Sequence, residues 1–268
     1  MILSNKARYL LMTLMGIGLA FIYVPLIIVF INSFNASKTF SWPPRDLTFD
    51  WWNRAIANTG VREALGWSVI AGVSATLIAL ALGTALAFAV ARYEFFGREA
   101  ISLLVVLPIS LPGIITGLAL NNAFTQTLGI GTSAFTIIVG HATFCIVIVY
   151  NNAIARLKRL GTSLQEASMD LGANGFTTFR LITLPNISSA LFAGGLLAFG
   201  LSFDEIVVTT FTAGPGIQTL PVWIFNNLFR PNQAPIVNVV AATLIVISIL
   251  PIYLSQRLSA DTSSGGRF

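Results

Sequence analysis

The sequence predicts an all-α membrane protein with six transmembrane helices, and three observations lead to this fold class. Hydrophobic residues make up 55% of the chain and charged residues only 9%, whereas soluble domains carry about 25% charged residues. The mean hydropathy is +0.82. The charges lie in short segments that separate apolar runs long enough for spans of about 20 residues. We therefore treat residues 1–268 as one transmembrane domain.

Six candidate spans follow from these runs. The first follows Lys6 and Arg8 and exceeds the roughly 7–15 apolar residues of a signal peptide, so we interpret it as a retained span. Residues 100–155 contain no Asp, Glu, Lys or Arg, and this stretch is too long for one helix. The spans are predicted at 9–31, at 64–91, at two places within 100–155 divided near 121–131, from about 186 onward, and at roughly 235–254.

The basic residues predict the orientation of these spans. Ten of the 15 Lys and Arg residues fall in one set of alternating segments, and cytoplasmic loops carry such an excess. Both termini are then cytoplasmic. The segments at about 33–63 and 207–234 are external, and the second is gate-like, with a short amphipathic helix at 221–229. The ten residues are Lys6, Arg8, Arg92, Arg98, Arg156, Lys158, Arg159, Arg180, Arg257 and Arg267.

A polar segment at 156–185 interrupts the apolar runs and is predicted as a helix, a turn and a second helix. Ser163 followed by Glu166 is a capping-box pattern, which predicts a helix start near Thr162. Gly172 and the Asn174-Gly175 pair favour a turn. The second helix has an apolar face formed by Phe176, Phe179 and Ile182. Two other interpretations stay open, since Glu166 could cap only its own helix and Asp170 could be a solvated charge.

This segment carries a family resemblance. The segment resembles the EAA loop of ABC importer permeases in its residues and their spacing. The order is Glu166-Ala167-Ser168, three residues, Gly172, nine residues, Ile182, one residue and Leu184-Pro185. Ser168 stands where the family usually has a second alanine. The resemblance extends over essentially the whole chain, because 107–120, 140–152 and 201–221 are similar to the second permease subunit of polyamine importers.

The resemblance implies a type I ABC importer permease fold with cytoplasmic EAA coupling helices, in the bacterial inner membrane. It also implies a second, similar permease subunit, two ATP-binding subunits and a periplasmic or lipid-tethered binding protein, together with membrane lipid. ATP and Mg would lie on the partner ATPase, whose closure would move the loop. The residues expected to couple to that ATPase are Glu166, Ala167, Ser168, Asp170 and Gly172.

Several function classes are disfavoured by what the sequence lacks. It has no G-x-x-x-x-G-K-[ST] phosphate loop, so we expect no ATP hydrolysis and no cofactor in this chain. One Cys and one His predict no multi-cysteine metal site and no catalytic residue. The net charge of +5 follows from the placement of the basic residues and does not require nucleic acid. His141 is interpreted as a hydrogen-bonding group between helices, with a proton relay or substrate contact as the alternative.

Two groups of residues are candidates for the transport pathway. Asp204 and Glu205 end a long uncharged run, and acids inside membranes usually face a bundle interior or an aqueous cavity. They could attract a cationic substrate, or they could form a structural pair at the interface. The other pathway candidates are Ser202, Asn121 and Asn122, and the predicted hinge or kink residues are Pro108, Pro112 and Gly113, which weaken helical hydrogen bonding.

Alternatives remain for the transported substrate and for the class of membrane protein. Within the importer class, the cargo could be a polyamine such as putrescine or spermidine, or it could be 4-aminobutyrate or another small amine or organic solute. A stand-alone channel or secondary transporter would need no ATPase. A membrane enzyme is disfavoured because no nucleophile, base and orienting group can be proposed together.

Overall fold

The computed structural model describes residues 4–38 and 42–247, and most of these residues are helical. One isolated antiparallel bridge joins Asn35 and Leu47. Single turns of π-helix lie at Ala123–Thr127 and Phe179–Thr183. The helices are α1 (Asn5–Asn32), α2 (Asp50–Ala57), α3 (Thr59–Arg92), α4 (Arg98–Ser110), α5 (Gly113–Asn122), α6 (Ala134–Leu160), α7 (Ser163–Asp170), α8 (Gly175–Thr178), α9 (Leu184–Phe203), α10 (Val207–Thr212), α11 (Leu220–Asn227) and α12 (Ala234–Ile247).

Among the described residues, four helices are long and apolar enough to cross a membrane on their own: α1, α3, α6 and the continuous helix Gly175–Phe203 that joins α8 to α9. A fifth span is formed if α4 and the helix Gly113–Thr127 count as one bent pair. The predicted sixth span, 235–254, begins as α12, and its remainder lies outside the described residues. The predicted all-α membrane class is therefore confirmed.

The bent pair makes an angle of 107°. Its break lies at Leu111 and Pro112, between Pro108 inside α4 and Gly113 at the start of α5. Proline lacks a backbone N–H and disfavours helical geometry in the residue before it, so the helical ladder ends here.

The fifth span begins earlier than the sequence predicts. We expected it from about Asn186, yet the helix runs unbroken from Gly175 to Phe203. Pro185 lacks the N–H of an α-helical bond, but it lies two residues after the π-helical turn at Phe179–Thr183 and sits in the first turn of α9. The second helix of the polar segment and the span are therefore one helix.

The chain divides into two compact units, 1–61 with 224–268 and 62–223. In the first unit, α1 is exposed along nearly all of its length. The Trp51 indole N–H donates to the Asn35 carbonyl oxygen at 3.0 Å. The Trp52 ring stacks on Phe34 at 5.3 Å between centroids. These contacts tie α2 to the segment that follows α1.

The second unit is built on α3, α6 and α9, which meet through small residues. The buried face of α3 repeats every four residues with side chains no larger than methyl, a spacing that lets helix backbones approach closely. A β-carbon on Gly83 would stand 3.0 Å from the Ile146 carbonyl oxygen of α6. A β-carbon on Gly194 of α9 would stand 3.2 Å from the Asn152 β-carbon. The repeat on α3 consists of Ala71, Ala75, Ala79, Gly83 and Ala87.

The short helix α10 packs against α5 and α6 within this unit. Gly117 lies against the ring of Phe211, and the Thr136 hydroxyl donates to the Thr212 carbonyl oxygen at 2.7 Å. Val208, Thr209 and Thr212 are buried. The start of the segment predicted as an external gate is thus an integral part of the helical core, and its depth relative to the membrane stays a prediction.

Candidate functional site

The first helix of the polar segment, α7, begins where the sequence predicts but without the predicted capping box. Thr162 is the N-cap residue, and its side chain makes no capping bond. Ser163 is the first helical residue, one position too late to act as the cap of the Ser163–Glu166 box. Glu166 is exposed, and its side chain forms no hydrogen bond within the described chain. The alternative in which it only caps its own helix therefore has no supporting contact.

Gly172 ends α7 in a Schellman turn. Its N–H donates to the Met169 carbonyl oxygen at 2.8 Å, and the N–H of Ala173 donates to the Ser168 carbonyl oxygen at 3.1 Å. These are the two bonds of that motif, which places the residue after the cap in the left-handed region. Gly172 has φ +87°, a conformation that glycine adopts without steric cost. The next helix begins at once, because the Asn174 side chain accepts from the Thr177 N–H.

Polar side chains hold α7 against the helix that follows it. The Gln165 amide donates to the Thr183 hydroxyl at 2.8 Å, and both residues are buried. The hydroxyl groups of Ser168 and Thr178 lie 3.1 Å apart. Ser168 is the residue that departs from the usual alanine of the motif, and here its hydroxyl joins the two helices. These two hydrogen bonds join α7 to the continuous helix Gly175–Phe203.

Large apolar side chains are exposed on the outer surface of the segment. Leu171 is 90% exposed and Phe176 is 72% exposed, although Phe176 belongs to the face that the sequence predicts as apolar. The other members of that face, Phe179 and Ile182, are half-buried, and Phe179 makes an edge contact with Phe88 at 5.2 Å. Exposed apolar patches rimmed by polar groups mark interaction surfaces. The large exposed apolar residues of the segment are Leu164, Met169, Leu171, Phe176, Leu181 and Leu184.

Arginine side chains attach the segment to the spans, a role that sequence reasoning missed. Arg92, at the end of α3, donates through Nη2 to the carbonyl oxygens of Leu157 (3.2 Å) and Gly161 (2.7 Å). Those carbonyls end α6, where basic groups are favourable. Arg156 Nε donates to the Asn186 carbonyl oxygen at 3.1 Å. The sequence showed only that these arginines lie near span ends.

The two acidic pathway candidates occupy different environments at the α9–α10 junction. Asp204 ends α9 and is exposed. Glu205 is half-buried, and its Oε1 accepts from the Val208 N–H at 2.8 Å. An acid that accepts from a free N–H at a helix start caps that helix. Glu205 therefore has a structural contact, whereas the Asp204 side chain faces the surface.

His141 is fully buried and joins three helices. Its Nδ1 lies 2.7 Å from the Ser202 hydroxyl, and its Nε2 lies 2.8 Å from the Thr209 hydroxyl. The Thr209 hydroxyl donates to the Glu205 carbonyl oxygen at 2.9 Å. It must then accept from Nε2–H, so a neutral ring accepts the Ser202 proton at Nδ1. This geometry supports the interpretation of His141 as a hydrogen-bonding group between helices.

The remaining pathway candidates also separate into packed and open residues. The Asn121 amide donates to the Phe211 carbonyl oxygen at 2.6 Å, which links the end of α5 to α10. Asn122 is exposed. Ser202 is buried against His141 and does not reach an open surface. Across the described ranges, no group of three or more His, Cys, Asp or Glu side chains could hold a metal ion.

Comparison with known proteins identifies the family. Residues 79–263, more than half of the chain, match the family described as "Binding-protein-dependent transport system inner membrane component". The chain belongs to this permease family. The permease is 32% identical over 247 residues to the spermidine/putrescine transport system permease protein PotC of Escherichia coli K12, covering 92% of each chain. It is 33% identical over 255 residues to the putrescine transport system permease protein PotI of that strain, covering 90% of this chain and 89% of PotI.

Solved structures confirm the fold of the permease. A chain of a bacterial ABC transporter involved in the import of the acidic polysaccharide alginate aligns with TM-score 0.72 at 17% identity, covering 97% of this chain and 99% of that one. A chain of the MetNI methionine ABC transporter aligns with TM-score 0.57 at 20% identity, covering 74% and 92%. The permease is a multi-pass membrane protein with the ABC importer permease fold, and its curated relatives are transport subunits.

Proposed function

We propose that this chain is a permease subunit of an ATP-driven importer for polyamines such as putrescine and spermidine. The similarity to PotC and PotI over about nine-tenths of the chain supports this cargo. The fold alone does not select it, because a transporter involved in the import of the acidic polysaccharide alginate shares the fold.

In this proposal α7 is the element on which the ATPase acts. Its outer surface carries exposed apolar side chains and the exposed Glu166, and its inner surface is hydrogen-bonded to the continuous helix Gly175–Phe203. A force applied to α7 would therefore reach a transmembrane helix without passing through a flexible loop. Two ATP-binding subunits would supply that force. They would do so by making different contacts with the two conformations of the permease, since a partner can shift a conformational equilibrium only through such a difference.

The assembly would contain a second, similar permease and a periplasmic or lipid-tethered binding protein. Both termini and α7 would face the cytoplasm, as the excess of basic residues favours. ATP and Mg would be bound by the partner ATPases. Co-purification of the tagged permease with a nucleotide-binding subunit tests the assembly. Transport by this chain alone, without any such subunit, would instead indicate a channel or secondary transporter.

The coupling role is tested by reversing the charge of Glu166. Glu166→Arg should lower polyamine uptake per ATP hydrolysed by the reconstituted transporter, while membrane insertion is unchanged. Glu94→Arg is the matched control, because Glu94 is an exposed acid in the loop between α3 and α4, which is predicted to lie on the same side of the membrane. Normal coupling in the Glu166 variant, or equal loss in both variants, would count against docking through α7.

The cargo is tested at the α9–α10 junction. We propose that Asp204 attracts the cationic substrate, since it is the exposed acid there and a negatively charged surface raises the local concentration of cations. Asp204→Asn should reduce putrescine and spermidine uptake. Glu205→Gln keeps an oxygen to accept from the Val208 N–H, so it removes charge without removing the cap. Uptake of 4-aminobutyrate in preference to both polyamines by the native transporter would replace the proposed cargo.

A further inference from the structure

A polar groove lies between α6 and α9, outside the segment and the junction described above. Its volume is about 400 Å³. Two amide side chains and two arginines border it, together with two alanines that leave it open. The lining residues are Asn151, Asn152, Ala155, Arg156, Arg159 and Ala190.

The groove follows one stripe of α6. This helix is the most buried of the four spans, with 56% of its most apolar window buried. Near its end, however, Asn151, Ala155 and Arg159 are all exposed. Residues four apart lie on the same side of a helix. The one open stripe on the last turns of a buried span is therefore largely polar.

The depth of Asn151 argues against contact with lipid. Lys158 and Arg159 lie in the last turn of α6, and we take these basic residues to lie at the membrane surface. Asn151 lies seven residues before Lys158, about 10 Å along the helix axis. Polar side chains within a span usually face a bundle interior or a water-filled cavity rather than acyl chains. An exposed amide at this depth therefore indicates water or protein on its outer side.

Both walls of the groove are held in place. Gly194 of α9 stands against Asn152, whose amide donates to the Ile148 carbonyl oxygen at 2.9 Å. Arg156 Nε is bound to the Asn186 carbonyl oxygen, so its guanidinium stays at the rim. Arg159 is exposed one turn further on. The groove is a preformed opening with positive charge at its mouth.

We propose that this groove is a water-filled part of the transport pathway at its cytoplasmic end, and that Arg156 and Arg159 make its mouth repel cations. This inference rests on the proposed function for its direction and its cationic cargo. A positive mouth lowers the local concentration of a released polyamine and slows its return into the pathway. The groove would thus act on release rather than on recognition.

The groove can be tested directly by labelling an introduced cysteine. Cys145 is the one cysteine of the chain, and it is buried with its thiol directed at the Ala198 carbonyl oxygen. Asn151→Cys in the complete reconstituted transporter, without nucleotide, is treated with charged methanethiosulfonates and read by mass spectrometry of this chain. Phe192→Cys is the matched control, since Phe192 is 66% exposed on α9 near Gly194 but does not line the groove.

We expect Asn151→Cys to react with both charged reagents and Phe192→Cys to react with neither. The anionic reagent should react faster than the cationic one. Arg156→Gln, five residues away along the helix, should lower the ratio of the two rates about fivefold at low ionic strength. If Asn151→Cys does not assemble, Ala155→Cys takes its place, with the same expectations.

Three results would overturn the inference. Reaction of Asn151→Cys only with a lipid-soluble maleimide would place the groove in lipid. Protection from all reagents, with a cross-link to the second permease, would make it a subunit interface. An unchanged rate ratio in Arg156→Gln would remove the role of the arginines. Polyamine uptake by the native transporter is measured in parallel. If the groove excludes the charged reagents while uptake is normal, only this inference is refuted. If the groove admits them but no polyamine is taken up, only the proposed cargo is refuted.

Discussion

The turn at Gly172 permits a test in which backbone conformation is the only variable. Gly172 has φ +87°, and a β-carbon at this position would meet nothing within 4 Å. Alanine there would create no clash and remove no contact. Its cost is purely the left-handed conformation, about 1–2 kcal/mol for an L-residue. A penalty of that size changes the ratio of the formed turn to alternatives by a factor of roughly 5–30.

Gly175 supplies the control within the same segment. It also has open space around its α-carbon, but it begins α8 and its φ is not positive. Gly175→Ala should therefore leave the segment intact. Gly172→Asn should be intermediate, because asparagine tolerates the left-handed region better than alanine. The expected order of function is glycine, asparagine, alanine and then valine, whose branched β-carbon is least tolerated there.

The assay is polyamine uptake per ATP hydrolysed in proteoliposomes, with the amount of assembled complex as the normalisation. We expect Gly172→Ala to lose coupling while the spans stay folded, because the strain is confined to the α7–α8 turn. Full coupling in Gly172→Ala would refute the reasoning, as would equal loss in Gly175→Ala. A Gly172→Asn variant no better than alanine would show that the left-handed geometry is not the cause.

Two further predictions concern the helical core. Gly83→Ala would place a β-carbon 3.0 Å from the Ile146 carbonyl oxygen and should destabilise the protein by about 1–3 kcal/mol. Thermal unfolding in detergent should therefore show a lower Tm. Gly66→Ala on the same helix, where a β-carbon would meet nothing within 4 Å, should leave the Tm unchanged. His141→Phe should cost about 1–3 kcal/mol by leaving the buried Ser202 hydroxyl without its partner. Adding Ser202→Ala should restore part of that loss, and a double variant no more stable than His141→Phe would contradict the hydrogen-bonding role.

Sequence reasoning was most successful where a single segment determines its own structure. The charge-free runs predicted the spans because a helix in lipid must be apolar along its length. The turn at Gly172 was visible because a left-handed C-cap favours glycine. The start of α7 near Thr162 was predicted correctly, but the capping box at Ser163 was wrong, since Ser163 is already helical and the Thr162 side chain makes no capping bond.

Contacts between distant residues were beyond prediction from one sequence. Gln165 and Thr183 are 18 residues apart, and no local pattern pairs them. Arg92 and Gly161 are 69 residues apart, so Arg92 contributed only a charge to the orientation argument. The four-residue repeat of small side chains on α3 was visible in the sequence and could have predicted close packing. The partner helix of that repeat could not be known.

The unbroken helix from Gly175 to Phe203 has a mechanical consequence. Its 29 residues make a rod about 43 Å long. If one end were held, a tilt of about 10° at the α7 end would displace the other by roughly 7 Å, the length of more than one helical turn. Small movements of the polar segment would thus become large ones at the α9–α10 junction. The length of the helix would determine how far its outer end moves, and the hydrogen bonds at Gln165 and Ser168 would determine the direction of the movement.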